Sequence, residues 1–221
     1  MAVYDLEEQE QLDEIKAWWS QHGNLITGVT VAVAIAAVSW QGWTWYQNKQ
    51  STEASVIFAV LQQANQLQDN GRIKNLAGEL TEKYSGTAYA PLAAMMAARS
   101  SVEADDLKTA RSQLTWAVDH ASDEIRALAR LRLAGLLLDE KAYDEAIRVL
   151  SDEKLPAFAA QVAALKGDIL LAQGKKLDAK AAYTAALAAV KQNGDNNGWQ
   201  QLLQQKLDAL GIPAGVQGGA A

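Results

Sequence analysis

Residues 133–150 read LAGLLLDEKAYDEAIRVL, and their spacing decides the fold. Ala134 is followed twelve positions on by Ala146 and four further by Leu150, with Leu133, Leu137 and Tyr143 at helical intervals between them. The acid pair Asp139-Glu140 marks the turn that splits the stretch into a helical hairpin. Small residues are needed where the two helices of a hairpin cross closely, and a large apolar residue fills the gap to the next hairpin. The same frame returns 33 residues later as Gly167, Leu170, Gly174, Ala179, Tyr183 and Ala186, with Gly174 in the turn. Moving back 36 residues gives Ala98, Ala110, Leu114 and Ala117, and a further 33 gives Ala77. That earliest copy is degenerate, with Asn65 and Thr81 at two key positions.

Each hairpin leaves an apolar face bare until a neighbour stacks on it, so repeated copies form a curved array. The frame is that of a tetratricopeptide-like hairpin. It predicts an all-α chain with a right-handed α-solenoid of about four hairpins over residues 48–210. In the first hairpin Ala54, Ile57, Phe58, Leu61, Ala64 and Gln68 form one stripe, closed by Asp69-Asn70-Gly71; Ile73, Leu76, Ala77, Leu80 and Tyr84 form the next, closed by Ser85-Gly86. Pro91 opens the third helix. Gly198 to Leu210, with Trp199, Leu202, Leu203, Lys206 and Leu210, reads as a terminal capping helix, and 211–221 as a disordered small-residue tail. The composition agrees: among 221 residues, 49% are hydrophobic, 21% charged and three are proline, which argues against disorder and against a turn-rich β-sandwich.

Upstream the pattern changes. No charged residue stands between Lys16 and Lys49, and residues 25–46, LITGVTVAVAIAAVSWQGWTWY, are long and apolar enough to cross about 30 Å of hydrocarbon. Trp18 and Trp19 flank one end and Trp40, Trp43 and Trp45 the other, the positions of indole rings at the two headgroup levels. From Trp19 to Trp40 a helix rises about 32 Å. This predicts a transmembrane signal anchor at 24–47, a leader at 1–23, and a membrane helix that continues outward into the first hairpin. Ala34-Ile35-Ala36 resembles a signal-peptidase site, but the acidic leader and the apolar stretch past that site favour a retained anchor. Gly28, Ala32 and Ala36, four residues apart, form one smooth face suited to close helix packing, a pattern that alanine-rich spans also produce by chance. Lys16 and Lys49 alone do not orient the span.

Charge is uneven. Of the net −6, the leader holds −5, through Asp5, Glu7, Glu8, Glu10, Asp13 and Glu14 against Lys16, while the rest of the chain has 20 acids and 19 bases. No basic face suits phosphate, so nucleic acid is excluded as a partner.

These features resemble the YfgM family of ancillary SecYEG translocon subunits. The resemblance is carried by the leader ending in Lys16-Ala17-Trp18-Trp19, the anchor behind it, Tyr84-Ser85-Gly86-Thr87-Ala88-Tyr89-Ala90-Pro91-Leu92-Ala93-Ala94, Leu128-Ala129-Arg130-Leu131-Arg132-Leu133-Ala134, and Leu165 to Lys175. It covers nearly the whole chain. It implies a single-pass inner-membrane protein with a cytoplasmic amino terminus and periplasmic repeats. Its implied partners are the Sec translocon, a PpiD-type membrane-anchored periplasmic chaperone, translocating client proteins and the lipid bilayer.

The residues speak for a binding or scaffold protein rather than an enzyme. There is no cysteine, and no nucleophile–base pair, catalytic carboxylate pair or phosphate loop emerges, so neither a cofactor nor a metal is expected. His120, near Asp119 and Asp123, reads as an exposed helix-end residue. The first helix of the third hairpin is apolar almost all round, and such a helix must be covered on both sides or bind something. In repeat geometry Leu128, Leu131 and Leu138 face a concave groove, joined by Leu92, Met95, Arg99 and Val102 from the second hairpin and Gln161, Ala164, Asp168 and Leu171 from the fourth. The alternative is that a tightly wound array or the terminal helix buries them. A different class of function is a membrane-tethered regulator that holds a cytoplasmic signalling protein through the leader, where Leu12, Ile15 and Trp19 make a short apolar stripe.

Overall fold

The computed structural model describes residues 4–152, 155–192 and 198–211, with side chains from residue 16 onward. Among these the chain forms nine α-helices and no strand: α1 Tyr4–Gln66, α2 Asn70–Lys83, α3 Tyr89–Glu103, α4 Leu107–His120, α5 Asp123–Asp139, α6 Tyr143–Ser151, α7 Ala159–Ala172, α8 Lys176–Gln192 and α9 Trp199–Ala209. A 3-10 turn, Pro156–Phe158, precedes α7. The chain divides into two compact units, Met1–Gln50 and Ser51–Ala221. The tail expected at 211–221, Gly211 apart, lies outside the described residues, as do the side chains of the acidic leader.

In the second unit the end of α1 pairs with α2, α3 with α4, α5 with α6 and α7 with α8, and α9 packs on α8 as the cap. The repeat frame is the buried frame. Ala98, Ala110, Ala117, Ala134, Ala146, Ala179 and Ala186 are all buried, as are the gap-filling Leu114, Leu150 and Tyr183. Gly167 shows why the crossing residue must be small: a Cβ there would stand 2.5 Å from Cε1 of the Tyr183 ring, which is itself fully buried. In the degenerate first copy, Thr81 is half-buried and donates its hydroxyl to the Ala77 and Gly78 carbonyls at 3.0 Å, so its polarity is satisfied within α2.

All four hairpins turn the same way. Gln68 (φ 54°), Asp105 (φ 60°), Lys141 (φ 61°) and Gly174 (φ 79°) are left-handed. In each turn the next residue donates its N–H five residues back: Asp69 to Ala64, Asp106 to Ser101, Ala142 to Leu137 and Lys175 to Leu170, at 2.8–3.0 Å. This is the Schellman closure of a helix, which glycine adopts most readily. Only the last copy has glycine there. The first turn therefore sits at Leu67-Gln68 rather than at Asp69-Asn70-Gly71: Asp69 caps α2 by accepting the Arg72 N–H at 3.0 Å, and Gly71 lies inside α2.

Two substitutions should move stability in opposite directions. Lys141→Gly relieves a side chain held in the left-handed region and should raise the unfolding free energy of the full chain in detergent by about 1 kcal/mol, whereas Gly174→Ala should lower it by a similar amount. Gly167→Ala should cost about 1–3 kcal/mol, because the Tyr183 ring has no room to move. Urea midpoints at constant slope would check all three.

Candidate functional site

The first unit contributes an apolar helix. Within Lys16–Gln66 is a stretch long and apolar enough to cross a membrane, and nearly all of it is uncovered by protein. Val29, Val33, Ile35, Val38 and Trp40 are each more than half exposed. Polar groups in the stretch close on the helix itself: Thr30 donates to the Ile26 carbonyl at 2.8 Å and Thr44 to the Trp40 carbonyl at 2.9 Å. At one end Trp18 stacks on His22. At the other, the Lys49 ammonium lies 5.8 Å from the Trp45 ring centroid and Gln50 donates to the Tyr46 hydroxyl. These pairs keep charge and amide near the ends of the apolar stretch. At Gly28, on the face shared with Ala32 and Ala36, a Cβ would meet nothing within 4 Å.

In the second unit a pocket of about 440 Å³ opens between α3 and α5. Met95, Met96, Ala98, Arg99 and Val102 of α3 form one wall, and Arg132, Gly135, Leu136 and Asp139 of α5 the other. Asn65 of α1 and Leu114 of α4 complete the lining. Met95, Ala98, Leu114 and Leu136 are buried and make an apolar floor, while Arg99, Arg132 and Asp139 stand exposed at the rim. Arg99 donates to Glu103 at 2.9 Å, an exposed pair of small energetic weight.

The structure brings Met95, Arg99 and Val102 together and disperses the other groove residues named from sequence. Leu92, Leu128, Leu131 and Leu138 are half-buried against the large core cluster and do not line the pocket. On α7, Ala164 is buried, Gln161 is half-buried, and Leu171 is 38% exposed. Asp168 is engaged in packing: it accepts the Tyr183 hydroxyl at 2.6 Å and an ammonium hydrogen of Lys206 from α9. Burial and that carboxylate push the Tyr183 phenol well above its usual range. The Lys206 ammonium also lies 5.4 Å from the Tyr183 ring centroid, so this cluster holds the cap to the last hairpin.

The reason for the difference is geometric. Taking the same face from each copy suits a surface running across the array. A pocket between two copies is lined by the sides that face each other, and these lie on different stripes, 95, 98 and 102 on α3 but 132, 136 and 139 on α5. Arg132, Gly135, Leu136 and Asp139 stand at i, i+3, i+4 and i+7 in the sequence, but the same helix carries a second weakly apolar stripe at Asp123, Arg126, Ala127 and Arg130, so spacing alone does not single out the pocket wall. Among the described residues no group of three or more His, Cys, Asp or Glu side chains could hold a metal ion. Asp105 and Asp106 serve a turn and a cap, and Glu140 pairs with Arg111, which also reaches Glu145.

Comparison with known proteins extends this picture. A family model described as a tetratricopeptide repeat-like domain matches residues 16–212. An ancillary SecYEG translocon subunit of Neisseria gonorrhoeae is 33% identical over 210 residues, covering 93% of this chain and 98% of that protein. Proteins of the same name from Escherichia coli and Haemophilus influenzae are 28% and 27% identical, covering 96% and 94% of this chain and all of theirs.

The two stripes of α5 can be told apart by experiment. Leu131→Glu presses a carboxylate onto the core cluster and should lower stability by about 2 kcal/mol or more, read as an early melting transition. Arg132→Glu, one residue on but at the exposed rim, should melt within about 0.5 kcal/mol of the parent.

Proposed function

This chain belongs to the tetratricopeptide repeat-like family of ancillary SecYEG translocon subunits, and on that basis we propose that it is a non-enzymatic, single-span partner of the Sec translocon in the inner membrane. The observation that carries this reading is that the likeness covers 93–96% of this chain and 98–100% of the relatives, and the family model takes in the apolar helix and the repeats together. In this reading residues 1–23 are a cytoplasmic leader, 24–47 the anchor, and 48–210 the periplasmic repeats. Trp18, Trp19, Trp40, Trp43 and Trp45 set the depth of the helix, and Gly28, Ala32 and Ala36 are the face on which a translocon helix packs closely. The repeats then lie where polypeptide emerges, and their surface engages a membrane-anchored periplasmic chaperone and translocating clients.

The physical case for a binding role is the pocket. Its apolar floor and charged rim suit side chains presented by another polypeptide, and a single pocket of this size gives weak, fast-exchanging contact rather than permanent assembly.

Photocrosslinkers placed singly at Ala32 and at Met96 of the full chain test the division of labour in intact cells. Ala32 should yield adducts with translocon subunits and Met96 adducts with periplasmic proteins; translocon-free adducts at Ala32 overturn the reading. Protease added to spheroplasts should digest residues 50–221, and protection of that region reverses the topology. Deletion of residues 2–15, which keeps Lys16, Trp18 and Trp19, should leave both adducts in place, whereas their loss would favour a regulator acting through the leader.

A further inference from the structure

We infer that the pocket between α3 and α5 takes a bulky apolar side chain carried beside a carboxylate on a partner polypeptide, with that carboxylate seated at Arg132. This deepens the binding role proposed above and rests on it. The first observation is Gly135. It stands inside α5, where glycine is among the poorest helix formers. A Cβ built there meets no atom within 4 Å. At Gly167 the neighbouring ring demands glycine, but at Gly135 nothing in the described chain does. What the missing side chain provides is open space on the pocket wall, where a partner's chain can approach the α5 backbone.

The floor and rim define what approaches. Met95 and Met96 lie on the α3 wall, and their flexible thioethers adapt to large apolar groups of varied shape. At the rim, Arg99 is already tied to Glu103, whereas Arg132 makes no hydrogen bond or ion pair among the described residues. Asp139 lies seven residues further along α5, about 10 Å by helical rise. The pocket therefore has a basic end and an acidic end, in a part of the chain that is nearly neutral overall. A carboxylate gains at Arg132 and is repelled at Asp139, which selects both the partner's charge and its direction along the pocket.

The methionines supply a direct readout, because the chain has only three, Met1, Met95 and Met96. Full-length protein in nanodiscs, labelled at methionine methyls, is titrated with a short peptide, blocked at both ends, that carries phenylalanine beside aspartate. Versions with asparagine or lysine in place of aspartate are run alongside. The Met95 and Met96 signals should move with the aspartate peptide, with about fivefold weaker affinity for asparagine and weaker still for lysine. Arg132→Gln should erase the difference between aspartate and asparagine while leaving the melting temperature unchanged. Gly135→Leu should fill the space and abolish the shifts at an unchanged or higher melting temperature.

Unmoved methionine signals, equal affinity for the three peptides, or shifts that persist in Gly135→Leu would each overturn the inference. Should Gly135→Leu fail to fold, Arg132→Gln carries the charge test alone. Recovery of the translocon is measured on the same preparations. Lost shifts with intact recovery refute the pocket's ligand, and intact shifts with lost recovery refute the translocon role.

Discussion

The solenoid rests on close approach of helices at small residues. Within the last three hairpins one alanine or glycine on the first helix meets one alanine on the second, and the space created is closed by a large residue four positions later; the first hairpin has Asn65 and Thr81 at two of these positions. Gly167, Ala179 and Tyr183 show the constraint most sharply, because the ring lies against the Gly167 backbone and any added carbon would occupy its place. Burial of these crossings aligns each first helix with the next, and the pocket is a by-product of that alignment. Where α3 and α5 stand side by side, Ala98 and Gly135 are too small to fill the space between them.

The crossings were legible because they depend on side-chain size at fixed spacing. The turns were not. Gln68, Asp105 and Lys141 adopt the left-handed conformation that glycine signals at 174; aspartate tolerates it more readily than most residues, but nothing in the Gln68 and Lys141 side chains announces it. Their conformation is imposed from outside, since each turn joins two helices packed against each other and is closed by the five-residue-back hydrogen bond. The binding surface was half legible for a related reason. The stripe of α3 that holds Met95, Arg99 and Val102 coincides with its pocket wall, but α5 is leucine-rich on several sides. Composition alone did not show that Leu128, Leu131 and Leu138 pack half-buried against the core cluster while Arg132, Gly135 and Asp139 line the pocket.

Asp168 shows how a polar residue on an interior face can be mistaken for a recognition group. Its spacing suits a groove, but the deciding contact comes from Lys206, 38 residues away on the cap. A carboxylate, a phenol and an ammonium together satisfy one another's hydrogen-bonding needs where α7, α8 and α9 meet, and a satisfied polar cluster of this kind specifies a docking geometry more than it adds stability. The cap thereby ends the array with one defined partner for the last hairpin.

The same cluster bears on chemistry. Strongly perturbed titratable groups often mark catalytic sites, and Tyr183 is the most strongly perturbed one among the described residues. Yet it is fully buried, its hydroxyl is committed to Asp168, and its ring closes the helix crossing, so no substrate can reach it. The pocket presents the opposite arrangement: open space with an apolar floor, and a rim where Arg132 has no partner among the described side chains. Perturbation without access serves packing. Access to unspent charge and apolar surface serves recognition, and this chain keeps the two in different hairpins.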